Sequence, residues 1–370
     1  MKVKIKREEI LRGLQRVQGV TEKRNTMPIL SNVLIEAMEN NLKIFATDLE
    51  VGVSGVYKAD ILEEGKICVS GKRLYEIIKE LRDEEISINK LENNWITLES
   101  GQSRFKMAGL PPDEFPSLPP CEEAITFSVQ GKVLNYLIQK TIFAVGENDV
   151  RYILNGILIN LINKDKGSFL RIVGTDGHRL AIAETRLENS VEREGNAVVP
   201  KKAIAEVRRI MDYGEEPTSI GIGKTQVVFQ NSACSLTSRI MEGNYPNYQQ
   251  VIPKDTDKKV IVSKKDIEGA LKRASILAGE KTKLVHLSIE EGRIELTSSS
   301  PEVGEAQDAI PAKYKGDAMA VGFNARYLLD AIAVIEGDEV LFEFKDQASP
   351  CLIREKESNN CLSLVMPMRI

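Results

Sequence analysis

Histidine is nearly missing from this chain of 370 residues, which has only His178 and His286. The two lie far apart and lack the carboxylate or cysteine spacing that a metal site needs. Cysteine is scarce as well. The five present (Cys68, Cys121, Cys234, Cys351 and Cys361) are odd in number, widely spread and without a C-x-x-C pair. That pattern excludes a disulfide framework and a zinc ribbon, and it fits a reducing cytoplasm. No apolar run is long enough to span a bilayer, and the opening "MKVKIKREEI" lacks the basic-then-apolar form of a secretory leader. Neither G-x-x-x-x-G-K-[ST] nor G-x-G-x-x-G occurs between a strand and a helix. "GIGKT", Gly221 to Thr225, falls within an alternating strand pair and is a turn. Carboxylate pairs such as Glu8-Glu9 and Glu63-Glu64 fall on solvated faces. No cofactor, no metal and no catalytic residue is expected, and a non-enzyme is the better reading.

What the chain does have is repetition. "VKIKREEILRGLQRV" alternates at Val3 and Ile5, then moves to helical spacing at Ile10, Leu14 and Val17. "FSVQGKVLNYLIQKT" and "VIVSKKDIEGALKRA" do the same from Phe127 and from Val260, about one domain length apart each time. A second strand–turn–helix follows in each copy, in "ICVSGKRLYEIIKEL", "AVVPKKAIAEVRRIM" and "MAVGFNARYLLDAIAVI", and hairpin-like stretches come after. Proline-bearing junctions, "PPDEFPSLPPCEEA" and "GNYPNYQQVIPKDTDKK", separate the copies. The expected architecture is α+β, with three tandem similar domains at 1–122, 123–252 and 253–370. Each consists of two strand–helix–strand repeats, with helices on one face of antiparallel sheets.

"RIVGTDGHRLAIAE", Arg171 to Glu184, gathers a hydroxyl, a carboxylate, an imidazole and a guanidinium in the manner of an active site. The repeat argues otherwise. Gly174-Thr175-Asp176 corresponds to Ala46-Thr47-Asp48 and to Ser298-Ser299-Ser300, so Thr-Asp is turn chemistry. The helices carry the informative charge, for example Lys72 and Arg73, Lys132 and Lys140, Lys201 and Lys202, and Lys264 and Lys265. A net charge of −4 with cations gathered on equivalent helices suggests one basic face suited to a phosphate backbone, without reading of bases.

Seven stretches in order carry a resemblance: "TMPILSNVLIEA", "ATDLEVGV", "DEFPSLP", "VRYILNGILI", "GTDGHRLA", "GNYPNYQQVIP" and "LVMPMRI". Over its whole length the chain resembles the bacterial sliding clamps, the β subunits of the replicative DNA polymerase III holoenzyme. The resemblance implies a head-to-tail homodimeric ring around duplex DNA, held without sequence specificity, with helices inside and sheets outside. It implies a processivity factor that tethers the polymerase catalytic subunit, clamp loader, translesion polymerase and repair proteins through short peptides.

Carried over residue by residue, the family's DNA contacts fall on Arg24, Arg73, Asn148, Tyr152 and Ile153, and the basic-face reading adds Lys201 and Lys202. Relatives carry a second tyrosine at the Ile153 position. The peptide pocket falls on Leu154, Thr175, Gly177, His178, Arg179, Leu180, Pro246, Gln250, Val251, Leu364, Val365, Met366, Pro367, Met368 and Arg369. Relatives often carry arginines where this chain has Gln249-Gln250. The dimer seam falls on Phe105 and Met107 against Ile276 and Leu277 of a second copy. The rival reading is a multi-domain peptide-binding scaffold that never encircles DNA.

Overall fold

The computed structural model describes residues 1–21, 27–122, 124–164, 167–211, 216–356 and 360–368. Arg24 and Arg369 lie outside the described residues. The six helices of the described residues are α1 (Arg7–Thr21), α2 (Gly71–Glu80), α3 (Gly131–Gln139), α4 (Lys201–Ile210), α5 (Lys264–Ser275) and α6 (Ala325–Ala333). Every one follows directly on a strand, as the change of periodicity from two to 3.6 requires. Helix α1 buries Ile10, Leu14, Val17 and Val20 along one stripe, and lies against strands Asn41–Thr47 and Val51–Lys58 and against α2. Each such side chain contributes about 1.5–3 kcal/mol on burial. Side chains at the strand ends begin several helices. Ser70 accepts from the Arg73 N–H, Ser263 from that of Asp266, and Asn324 from those of Arg326 and Tyr327.

The chain divides into two compact units, and the division runs through the middle repeat. The first comprises residues 1–132 and 202–240 and holds one antiparallel sheet of 13 strands. The second comprises 133–201 and 241–370 and holds a sheet of eight strands and one of four. Its α5 and α6 pack together over a core that includes Ile267, Leu271, Leu287, Phe323, Leu328 and Phe342. No helix of the described residues is long and apolar enough to cross a membrane. The five cysteines are free, and burial pushes the Cys68 thiol up to about 12.

One kind of seam joins successive repeats. In the first unit, strand Val51–Lys58 of the first repeat pairs with Cys234–Arg239 of the second. In the second unit, Arg179–Arg186 of the second repeat pairs with Cys361–Val365 of the third. The next counterpart of Val51–Lys58 and Arg179–Arg186 is Gly304–Pro311. Among the described residues it pairs only with Arg293–Ser300 and ends its four-stranded sheet. The counterpart of Cys234–Arg239 and Cys361–Val365 is Ser103–Leu110. It pairs with Trp95–Ser100, and on its other side meets Gly65–Ser70 only at Gly109 and Leu110. Among its open strand edges, each unit therefore keeps one of the kind that forms these seams.

Lys140 departs from the expected basic face. Its side chain is 4% exposed, lies over the Tyr136 ring and bonds to Glu336 at 3.2 Å, to Glu355 at 3.4 Å and to the Val334 carbonyl. A charge so buried needs such partners, and here they come from the last repeat.

Candidate functional site

An apolar cluster forms along the seam of the second unit. Leu158, Val173, Leu180, Val198, Met241, Tyr248, Leu352 and Leu364 are buried in it, and Ile153, Ile182, Tyr245, Ile252, Leu362 and Met366 pack around them. Strand register explains the membership. Leu158 stands opposite Val173, and Leu180 opposite Leu364, which in turn stands opposite Leu352. Alternation then brings Ile182 and Leu362 to the same face. The junction after the sheet supplies two tyrosines. Tyr245 donates its hydroxyl to the Val173 carbonyl at 3.2 Å, and Tyr248 takes an N–H from Arg171 at 3.2 Å. Burial pushes the Tyr245 phenol above its ordinary value. The last residues continue the seam, with the Met366 N–H on the His178 carbonyl at 2.9 Å and the Met368 N–H on the Gly322 carbonyl at 2.8 Å.

The Thr-Asp-Gly-His turn borders this cluster as a tightly bonded bend. Thr175 Oγ1 donates to the Arg179 carbonyl at 2.6 Å and accepts from the Gly177 N–H at 3.1 Å. Asp176 Oδ1 accepts from the N–H groups of His178 and Arg179 at 2.9 and 3.0 Å. Gly177 sits at φ 83°, a region that favours glycine. The first repeat reproduces the bend bond for bond. Thr47 Oγ1 donates to the Val51 carbonyl at 3.0 Å and accepts from Leu49 at 3.0 Å, and Asp48 Oδ1 accepts from Glu50 and Val51 at 3.1 and 2.8 Å. The third copy is built differently. Its closing pair, Ser300 and Gly304, is one residue tighter than Thr47 with Gly52 or Thr175 with Leu180, and no aspartate is present. Two of the three turns expected to be equivalent are so.

Arg179 and His178 turn toward a polar cavity of about 470 Å³ that Phe143, Glu147, Asp149, Asp176, Lys201, Arg326, Tyr327 and Asp330 also line. The Arg179 guanidinium bonds to Asp176 at 2.9 Å and to Asp330 at 2.5 Å, and lies 4.5 Å over Tyr327 and 5.6 Å over Phe143. His178 stacks on Tyr327 with centroids 6.3 Å apart. Phe143, Tyr327 and Asp330 are not among the pocket residues that the sequence suggested. The signal for two of them was the i, i+3 spacing of Tyr327 and Asp330, which puts them on one side of α6.

The pocket residues read from the sequence thus separate. Leu180, Leu364 and Met366 belong to the apolar cluster, whereas Val365 is buried in the core of the last repeat. Leu154 is buried, Thr175 is fixed in its turn, and Pro246, Gln250 and Val251 are exposed beside the junction tyrosines. Pro367 and Met368 are half-buried in the terminal segment.

Of the residues assigned to DNA, Arg73 is exposed in the first turn of α2. Asn148 adopts φ 57° in a bend where Tyr152 is 60% and Val150 99% exposed. Ile153 packs on the apolar cluster instead. Lys201 Nζ bonds to Glu147 at 2.7 Å and to the Val145 carbonyl at 3.2 Å, and holds the Glu147 carboxyl below its usual range. Lys202 pairs with Asp48. No group of three or more His, Cys, Asp or Glu side chains that could hold a metal ion occurs among the described residues. Phe105 and Ile276 are exposed, and Met107 and Leu277 are partly so.

Three family models cover nearly the whole chain. They are the N-terminal, central and C-terminal domains of the DNA polymerase III beta subunit, matched at residues 1–119, 128–247 and 249–369. The beta sliding clamp of Caulobacter vibrioides is 36% identical over 372 aligned positions, covering all of both chains. The crystal structure of the DNA polymerase III subunit beta from Pseudomonas aeruginosa superposes with a TM-score of 0.96 at 34% identity, over the full length of both chains. A second structure from that organism, a sliding clamp bound to griselimycin, gives 0.94 at 34% identity, again over both full lengths. Matched from end to end by these models and relatives, this chain belongs to the DNA polymerase III beta subunit family, the beta sliding clamps.

Proposed function

We propose that two copies of this clamp close head to tail into a ring around duplex DNA, acting in the cytoplasm as a processivity factor without catalysis of its own. The observation that carries this reading is the pair of unused strand edges. Two seams between successive repeats are strand pairs of one kind, and the edges of Gly304–Pro311 and Ser103–Ala108 are the counterparts that would make a third. A second copy can supply the missing partner to each edge, which also removes two sites prone to aggregation. Head-to-tail contacts of this sort give a ring when the rotation closes. Phe105 and Met107 lie on one edge strand, and Ile276, 72% exposed, and Leu277 follow α5, which packs on the other.

The domains in this reading are 1–122, 123–252 and 253–370. Arg24, Arg73, Asn148, Tyr152, Ile153, Lys201 and Lys202 are the DNA contacts, and among the described ones Arg73, Asn148 and Tyr152 are exposed for the task. Contacts confined to phosphates leave the ring free to slide. The apolar cluster at the second seam takes extended peptides from the polymerase catalytic subunit, clamp loader, translesion polymerase and repair proteins. Leu180, Leu364 and Met366 form the floor, with Thr175, Gly177, His178, Pro246, Gln250 and Val251 around it. Methionine and leucine suit such a role, since they adapt to several apolar anchors.

Retention on DNA tests encirclement. The protein should stay on a closed circle through a moderate-salt wash and leave within seconds once the circle is cut. Equal retention on linear and circular DNA would sink the ring. Reversing Arg73, Lys201 and Lys202 to glutamate separates the clamp from a scaffold that never encircles DNA. Only the clamp loses processive synthesis.

A further inference from the structure

The first unit contains a groove made like the apolar pocket of the second, and a segment of the chain already lies in it. Its floor pairs Leu34 with Phe45 where the other pairs Leu158 with Val173. The two bends beside the floors carry the same four hydrogen bonds. Gly52 stands opposite Thr237 where Leu180 stands opposite Leu364. Across this floor runs the junction Phe115–Cys121, and it leaves a cavity of about 300 Å³. Phe115 is buried edge-on against Phe45 at 5.7 Å and packs over Ile29, Leu30 and Cys68. Leu118 takes the space that a side chain at 52 would fill, its Cδ1 only 2.1 Å from where a Cβ on Gly52 would stand. The glycine thus admits an anchor that leucine at the corresponding position 180 would exclude.

We propose that this groove is a second peptide site of the same make, held shut by the chain's own junction, with Phe115 and Leu118 as resident anchors. The inference rests on reading the pocket of the second unit as a peptide site. The attachment has the character of a bound peptide and not of a sheet strand. Pro116, Pro119 and Pro120 have no N–H to give, and among the described residues no backbone hydrogen bond ties 116–120 to the floor. Phe115 and Leu118 are its apolar anchors, and Cys121 Sγ donates to the Gln226 carbonyl at 3.6 Å at its far end, so residues 115–120 can peel away while the sheet stays whole. The site then accepts a short, proline-flanked peptide with an aromatic and a leucine anchor.

Cys68, fully buried beneath Phe115, reports the opening. In the full-length protein, a thiol reagent followed by mass spectrometry of each cysteine peptide should label Cys68 well before Cys351, whose exposure needs the last repeat to unfold. Equal rates for the two would overturn the proposal, and this comparison needs no variant. In Leu118→Ala, Cys68 should react at least about tenfold faster. A synthetic peptide of residues 113–120 (DEFPSLPP) should slow it again, and the same peptide with alanine for its leucine should do so about tenfold more weakly. A folded Leu118→Ala variant whose Cys68 rate ignores both peptides rules the second site out. Griselimycin titrated onto the unaltered protein reads the other pocket separately. If it fails to bind, the reading of that pocket falls, while the Cys68 rates still show whether the junction peels.

Discussion

The bends at Thr47–Val51 and Thr175–Arg179 share a frame of four hydrogen bonds and differ in nearly everything attached to it. The first presents Leu49, Glu50 and Val51 and leads to Gly52, under a built-in leucine. The second presents Gly177, His178 and Arg179 and leads to Leu180, buried in the apolar cluster of the second unit. Threonine and aspartate in this motif are therefore structural, because both copies need them to turn the chain. What distinguishes the second copy is the set of side chains between the frame and the following strand. An apparent catalytic cluster dissolves into a scaffold and its variable decoration.

Exchanging single residues between the bends tests how far that separation holds. The largest effect is expected from Leu180→Gly, which gives the second groove the floor of the first. It should cost about 2–5 kcal/mol of stability and, where that groove takes partner peptides as proposed, weaken their binding at least about a hundredfold by calorimetry, close to the worth of one buried leucine. Undiminished affinity would mean that Leu180 is not part of the binding floor. Next come Asp176→Ala and Asp48→Ala. Each removes the carboxylate that accepts from two backbone N–H groups, and an ion pair with it, but the Arg179 left behind is 10% exposed where Lys202 is 24% exposed. Urea unfolding should show about 2–4 kcal/mol for Asp176 and about 1–2 for Asp48. The reverse order would refute the assignment of Arg179 as the more deeply embedded cation.

Smaller effects follow from the backbone. Leu49 holds φ 77° where the second bend has glycine at φ 83°. Leu49→Gly should therefore raise stability by about 0.5–1 kcal/mol, and Gly177→Ala should lower it by about 1 kcal/mol. Loss of stability in Leu49→Gly would indicate that its partly exposed side chain packs better than its backbone suffers. Least of all, exchange of Glu50 and His178 should move the melting temperature by no more than a degree or two, consistent with about 0.5 kcal/mol for a surface change. A larger drop confined to His178→Glu would assign real weight to its stacking on Tyr327.

Much of the fold could be read directly because each repeat states its own pattern. Val3 and Ile5 before Ile10, Leu14 and Val17 specify a strand and then a helix, and all five are buried. The equivalence of the Thr-Asp bends was equally legible, since it needs only aligned copies. Pocket membership was harder, because it depends on strand parity. Leu364, Val365 and Met366 are consecutive, and successive side chains of a strand point to opposite faces. The pairing of Leu180 with Leu364 sends Val365 to the core. Lys140 was opaque for another reason. Its helical spacing suggested a solvated cation, but it stands just past the end of α3, and Glu336 and Glu355 lie far along the chain, where no local pattern announces such partners. The third turn misled in a third way, since Ser299-Ser300 aligns with Thr-Asp but closes one residue tighter.

The floor of the proposed peptide pocket straddles a seam, with Leu180 from one repeat opposite Leu364 from the next in a run of five residue pairs. A molecule lying on that floor touches both sides and works as a rivet. Its binding energy is spent partly on keeping the two strands zipped, and at a hundred times its Kd it adds about 2.7 kcal/mol against their separation. Thermal shift with any pocket ligand thus becomes a gauge of the seam itself. A partner peptide that docks there also stiffens the very place where the chain changes from one repeat to the next.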